Sequence, residues 1–252
     1  MSAYETLAAS YDRLTYDVPY EEVLQFLQKL CARFGVKPQT VLDLACGTGS
    51  LSVLLAQAGY QVLGVDRSAE MLTLADRKAA ALPEGVQRPY FILQSMQKLR
   101  LPQPVDAVFC CLDSLNYLTK PDDCQRTLRR VFDALRPGGV LIFDVNTPFK
   151  LENLDGQVFL DENEDTYCVW RAEYNPRSRL CSYGMDLFQR EGTLWRRSFE
   201  EHVEYAYRQE ELVSFLRQAG FTQIRVYADR KLRAPKPDAL RIYFAAKKKE
   251  SL

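Results

Sequence analysis

The chain has 252 residues, enough for one large domain or a domain carrying an insertion. Hydrophobic residues make up 47% and charged residues 26%, which excludes a disordered chain. The 33 basic residues balance 33 acidic ones, so no global field draws the protein to nucleic acid or to an anionic membrane.

The first predicted helix opens near Pro19 and places Tyr20, Val23, Leu24, Leu27, Leu30, Cys31 and Phe34 on one face; Gly35 and Pro38 end it. Short apolar runs then alternate with amphipathic stretches. Strands are expected at Val41–Ala45, Val62–Asp66, Tyr90–Leu93 and Val105–Cys110. Between them lie helices at Leu51–Ala58 and from a Ser68 cap to about Ala80. Pro121 opens another helix, and Arg136-Pro137-Gly138-Gly139 turns the chain into a fifth strand, Val140–Val145. Strands that are nearly all apolar, alternating with helices, imply a parallel sheet covered on both faces.

After Pro148 the rhythm changes to a period of two. Cys168, Trp170, Ala172, Tyr174, then Cys181, Tyr183, Met185, Leu187, then Trp195, Phe199, Val203, Tyr205 and Tyr207 read as an antiparallel meander with one aromatic face. Helix Gln209–Ala219 and strands Thr222–Tyr227 and Leu240–Ala246 restore the alternating pattern. The expected fold is α/β, a doubly wound, mostly parallel seven-stranded sheet with an antiparallel β insertion after the fifth strand. Residues 1–147 and 208–252 form its core and 148–207 the insertion, within a single domain.

Seven cysteines, none in a C-x-x-C pair, read as buried thiols in a reducing compartment, and one histidine excludes a multi-histidine metal site. No signal-peptide pattern or membrane-length apolar run is present, so the expected location is the cytoplasm, with no membrane partner.

The informative segment is Val41-Leu42-Asp43-Leu44-Ala45-Cys46-Gly47-Thr48-Gly49, a strand entering a glycine turn and then a helix. Glycine permits close approach of a ligand to the backbone. The carboxyl end of such a strand is where nucleotide-like ligands bind, and Asp66 at the next strand end is placed to accept hydrogen bonds from ribose hydroxyls. A dinucleotide site calls for G-x-G-x-x-G, but the last position is Ser52. Asp43 beside the loop suits a ligand bearing positive charge better than a diphosphate.

This segment resembles the first motif of class I methyltransferases, in which Asp-Leu-Ala-Cys-Gly-Thr-Gly recurs. Gly64-Val65-Asp66-Arg67-Ser68 through Met71, Leu135-Arg136-Pro137-Gly138-Gly139 and Ala219-Gly220-Phe221 resemble later elements of that family in the same order. Tyr11-Asp12 and Asp17-Val18-Pro19-Tyr20 resemble a bacterial branch of it. The resemblance implies S-adenosylmethionine as cofactor. By it, Asp43, Ala45, Gly47 and Gly49 hold the methionyl part, Asp66 the ribose, and Arg67 and Met71 flank the adenine. Tyr11 and Tyr20 are expected either to close over the cofactor or to pack in the core. Ser95, followed by Met96, stands where the family usually carries an aspartate against the adenine amine.

The expected reaction is methyl transfer to a nitrogen or oxygen of a small molecule. An RNA or protein substrate is the alternative, followed by a nicotinamide oxidoreductase or a non-catalytic binding protein. Nucleic acid is not indicated by charge, and the Asn/Asp-Pro-Pro-aromatic element of amino-methyltransferases acting on bases is missing after the fourth strand, where Cys110-Cys111-Leu112-Asp113-Ser114 stands. If the acceptor must lose a proton, the candidates are Asp113, after the fourth strand, and His202. Strand alternation places His202 with Glu200 and Glu204 on a polar face read as solvated, opposite Phe199, Val203 and Tyr205.

Overall fold

The computed structural model describes residues 18–162 and 164–250. Tyr11, one of the residues expected at the cofactor, lies outside them. A seven-stranded sheet forms the centre, in the order β3-β2-β1-β4-β5-β11-β10. Its strands are β1 (Thr40–Leu44), β2 (Gln61–Asp66), β3 (Tyr90–Leu93), β4 (Val105–Cys110), β5 (Leu135–Asn146), β10 (Phe221–Ala228) and β11 (Arg241–Lys248). The first five run parallel, while β11 is antiparallel to both β5 and β10.

The central strands are largely apolar because both of their faces are covered. Leu42, Val108 and Phe143 face one cluster with helices α4 (Pro121–Ala134) and α6 (Gln209–Ala219). Their neighbours Val41, Ala107, Phe109 and Ile142 face a second cluster with α1 (Tyr20–Arg33) and α2 (Ser50–Gln57). Helix α3 (Ala69–Ala80) starts where expected, the Ser68 hydroxyl accepting the Met71 N–H at 3.2 Å. The expected turn at 136–139 is drawn into β5 as an irregularity: β4 pairs Val105 with Leu135 but Ala107 with Val140, and Gly138 takes φ +80°.

The insertion is a separate four-stranded antiparallel sheet, β6 (Val158–Glu162), β7 (Thr166–Asn175), β8 (Leu180–Glu191) and β9 (Leu194–Tyr205), in chain order. Strand β6 escapes the alternation pattern because Val158, Phe159 and Leu160 are apolar in succession. The short helix α5 (Pro148–Asn153), capped by Thr147, connects the two sheets.

Two expectations about the insertion are overturned. The face of β9 carrying Glu200, His202 and Glu204 is the inward one, each residue less than 8% exposed, and it is not solvated. Trp195 and Phe199, expected in the interior, are 44% and 55% exposed. The inversion has a polar cause. Asn146 Nδ2 at the end of β5 donates to Glu204 Oε2 at 2.8 Å, and His202 Nε2 lies 3.4 Å from Glu200 Oε2, so the buried groups have partners.

Candidate active site

A cavity of about 320 Å3 opens at the carboxyl ends of β1, β2 and β4, where the strand order reverses between β1 and β4. Its floor is the turn after β1. Ala45 and Gly47 both adopt left-handed backbone, φ 59° and 54°, so the chain leaves the sheet in a tight curl instead of continuing the strand to Ala45 as its sequence suggests. The Gly47 N–H donates to Asp66 Oδ2 at 2.9 Å, and the Ser68 N–H donates to Asp66 Oδ1 at 2.9 Å. Both carboxylate oxygens are thereby fixed, and each keeps a lone pair for a hydroxyl. Lys78 Nζ on α3 donates to Thr48 Oγ1 at 2.9 Å and Ser50 Oγ at 2.7 Å, tying the same loop to the helix.

Asp43 sits below the loop, 2% exposed, and accepts the Ser52 hydroxyl at 2.5 Å. Burial pushes its carboxyl up to about 7; the Ser52 hydrogen bond opposes this, and the charge of Asp66 adds to it. The serine that breaks the dinucleotide fingerprint is thus the anchor of the carboxylate. A buried carboxylate without a cation is costly, so this end of the cavity fits a positively charged group and repels a diphosphate.

Of the expected cofactor residues, Asp43, Ala45, Gly47, Asp66, Arg67, Met71, Met96 and Tyr20 line the cavity. Gly49 and Ser95 do not. At Gly49, φ 74°, a Cβ would sit 2.8 Å from Ala75 Cβ and 3.2 Å from Phe91 Cζ, so this glycine serves helix–strand packing. Gly49→Ala therefore costs about 2–4 kcal/mol in backbone strain and overpacking. A fall of roughly 5–15 °C in the melting midpoint without cofactor would confirm this. Around Ser95, it is Gln94, Met96 and Gln97 that face the cavity. The short turn Met96–Lys98 follows Ser95 and leaves both Gln94 and Gln97 on the cavity, a placement that strand periodicity alone does not reveal.

The opposite wall is made by Leu112, Asp113, Tyr117, Trp170 and Arg241. Leu112 and Asp113 both hold left-handed backbone, φ 58° and 53°. Asp144 at the end of β5 fixes them, accepting the Leu112 N–H at 2.8 Å and the Asp113 N–H at 3.1 Å. Arg241 bridges the two carboxylates, pairing with Asp144 and donating Nη2 to Asp113 Oδ1 at 2.5 Å. Asp113 therefore reaches the cavity, but with its charge already engaged. Asn116 is buried and structural, its amide donating to the carbonyls of Asn146 and Tyr205 at 3.1 and 3.0 Å.

His202 does not line the cavity. It lies one ring behind the wall, its centroid 6.0 Å from Tyr117 in an edge contact and 6.5 Å from Trp170. Across β8 it faces Tyr183. Beside it, Glu204 is held well above the ordinary carboxylate range, mainly by burial and then by the charge of Asp113. Arg241 and Trp170 could not be found from a motif. One comes from 97 residues beyond Asp144, and the other from a strand whose inward face only the fold defines.

A methyltransferase-domain family model matches residues 41–139. YqeM of Bacillus subtilis (strain 168), which carries a methyltransferase name, is 33% identical over 251 residues, covering 99% of this chain and 98% of its own. A crystal structure of an S-adenosylmethionine-dependent methyltransferase from Clostridium acetobutylicum ATCC 824 superposes with a TM-score of 0.87 at 29% identity, covering 98% of this chain and 99% of that one. The sugar N-methyltransferase KedS8 from Streptoalloteichus sp ATCC 53650 shares the fold, with a TM-score of 0.79 at 21% identity over 96% of this chain and 93% of its own. With a curled glycine loop over a buried carboxylate and an anchored Asp66 facing one cavity, the chain belongs to the class I S-adenosylmethionine-dependent methyltransferases.

Proposed function

We propose that this methyltransferase acts on a nitrogen or oxygen of a small molecule held between the glycine-loop end of the cavity and the inward face of the β insertion. Residues 148–207 then serve as the substrate-side cap. The observation that carries the reading is Trp170, through which the four-stranded sheet supplies part of the cavity wall. The volume lies at the low end of small-molecule sites. KedS8, a sugar N-methyltransferase by its title, shares the fold. All seven cysteines are free thiols, in keeping with a cytoplasmic enzyme.

In this reading Asp43, Ala45 and Gly47 receive the methionyl part and Asp66 the ribose. Arg67, Met71 and Met96 bracket the adenine, Gln94 or Gln97 replaces Ser95 at its amine, and Tyr20 covers the opening. S-adenosylmethionine supplies an already activated methyl group when bound, so the protein's task is to aim an acceptor in line behind it. Asp113, paired with Arg241, fixes the wall against which the acceptor rests. His202, one ring behind the wall, is a positioning residue that supports the Tyr117 and Trp170 rings.

Thermal unfolding with two sulfur nucleosides and two dinucleotides tests the cofactor assignment. S-adenosylmethionine and S-adenosylhomocysteine at 100 times their dissociation constants should raise the midpoint by roughly 5–10 °C, and NAD and NADP should not. Transfer of labelled methyl groups to panels of small amines and alcohols, beside tRNA and protein extracts, then tests the substrate class. Capture of label by the macromolecules alone overturns it. His202→Asn should act through the Tyr117 and Trp170 rings, raising KM for the acceptor more than it lowers kcat and leaving the cofactor-induced shift intact. A large fall in kcat at unchanged KM would instead give the imidazole a part in proton transfer.

A further inference from the structure

The cavity is bordered on its β5 side by a loop of opposite charge. Strand β10 ends at Ala228, paired with Ile242, and β11 begins at Arg241, paired with Asn146 at the carboxyl end of β5. The loop between them, residues 229–240, therefore stands on the same edge of the sheet as the glycine turn and Asp113. It carries Arg230, Lys231, Arg233 and Lys236 against Asp229 and Asp238. Arg230 is engaged, 3.3 Å from Glu22 on α1 and 3.2 Å from Asp229. Lys231, Arg233 and Lys236 are exposed, and no carboxylate pairs with them among the described residues. These three cations against the exposed Asp238 leave an excess of two positive charges, in a chain whose charges sum to zero.

The loop is fixed by its own backbone. The Lys231 N–H donates to the Ala228 carbonyl at 3.0 Å, and the Ala228 N–H to the Arg233 carbonyl at 2.9 Å. Pro235 and Pro237 restrict the chain beyond, and the Thr147 hydroxyl donates to the Ala239 carbonyl at 2.6 Å. An anion binding to such a frame meets little cost of ordering the backbone. Inside the cavity an anion is poorly placed. Asp43 and Asp66 stand at the cofactor end, and at the other end Arg241 is outnumbered by Asp113 and Asp144.

We propose that the acceptor carries a phosphate group, held by Lys231, Arg233 and Lys236 outside the cavity while the accepting atom enters it. This rests on the small-molecule reading above and narrows it. Charge selects the class: a phosphate monoester bears about two negative charges at neutral pH, which matches the excess on the loop. The sheet sets the reach. Neighbouring strands lie about 4.8 Å apart, so β11 and β10 stand about 10 and 14 Å from β4, whose end leads into Asp113. The accepting atom and the phosphate are then about 10–15 Å apart, with the Arg241 bridge between them.

Calorimetric titration of the full chain, saturated with S-adenosylhomocysteine, against inorganic pyrophosphate tests the site. Lys231→Gln, Arg233→Gln and Lys236→Gln together should weaken binding at least about tenfold and leave the cofactor-induced midpoint shift intact. Lys29→Gln, Arg33→Gln and Lys37→Gln, exposed at the opposite end of the sheet, should leave binding unchanged. No binding at millimolar pyrophosphate, or equal loss in the two triple variants, overturns the proposal. So does retention on phosphatidylserine vesicles without pyrophosphate binding, which would make the loop a membrane contact. Labelled methyl transfer to a small-molecule cell extract tests the acceptor. The product should bind an anion-exchange resin at neutral pH and be released after phosphatase and phosphodiesterase treatment. Retention that survives both enzymes would overturn the phosphate assignment. Label in neutral or cationic products would do the same and leave the small-molecule reading standing, whereas label in RNA or protein alone would overturn both.

Discussion

Asp66→Ala is expected to weaken S-adenosylmethionine binding by at least two orders of magnitude, and the midpoint shift produced by the cofactor should vanish with it. The carboxylate is the acidic group at the carboxyl end of β2, and both of its oxygens are already oriented by backbone N–H groups at 2.9 Å. It therefore accepts hydroxyl hydrogen bonds without further ordering. Each hydrogen bond to a charged group is worth about 1.5–3 kcal/mol, so two account for about 3–6 kcal/mol. That exceeds the stabilisation of about 2.7 kcal/mol that a ligand confers at 100 times its dissociation constant. The substitution also strips acceptors from the Gly47 and Ser68 amides, so the cofactor-free midpoint should fall as well. Asp66→Asn separates the two effects, because one oxygen still accepts from a backbone amide while the charge is lost. Calorimetric titration should place its affinity between those of the parent and of Asp66→Ala. Parent-like affinity in Asp66→Ala would remove this residue from the cofactor site.

Most of the central sheet was legible because its signals are local. Glycine turns, helix caps and apolar runs of strand length recur within a few residues of each other, and Tyr90–Leu93 and Val105–Cys110 coincide with β3 and β4 to the residue. The insertion was legible as antiparallel strands but not as to which face is inward. A period of two separates the faces of a strand without saying which one is covered. Burial of Glu200, His202 and Glu204 is decided by partners distant in sequence, above all Asn146, 58 residues before Glu204. The site follows the same division. Asp43, Gly47 and Asp66 belong to one strand–turn–helix–strand unit and could be read from spacing. By contrast, the Arg241 bridge between Asp113 and Asp144 joins residues brought together only when β11 pairs with β5. Gly49 shows the opposite limit, since the glycine is required by its motif position but for packing against Ala75 and not for ligand contact.

Asp43 makes cofactor affinity depend on pH in a predictable direction. Burial is the chief reason its carboxyl stands at about 7 in the cofactor-free protein, against an ordinary 3.8. Between those values the folded chain holds a proton that the unfolded chain has released. This group's contribution to stability is therefore complete below about pH 4 and is lost as pH rises to 7, a change of about 4 kcal/mol for a shift of three units. A cationic ligand works against that trend because it favours the ionised carboxylate. Below pH 7 binding must expel the proton, so the dissociation constant should rise about tenfold per unit, reaching about 100-fold between pH 7 and pH 5. Above pH 7 it should level off. Asp43→Asn should bind weakly at every pH with no break near 7. Ser52→Ala removes the hydrogen bond that holds the carboxyl down, so its break should move to higher pH. Titrations of S-adenosylmethionine from pH 5 to 9 on the three proteins decide the matter. A parent profile as flat as that of Asp43→Asn would mean that Asp43 stays ionised without a cation, and the buried charge would then need another partner in the loop.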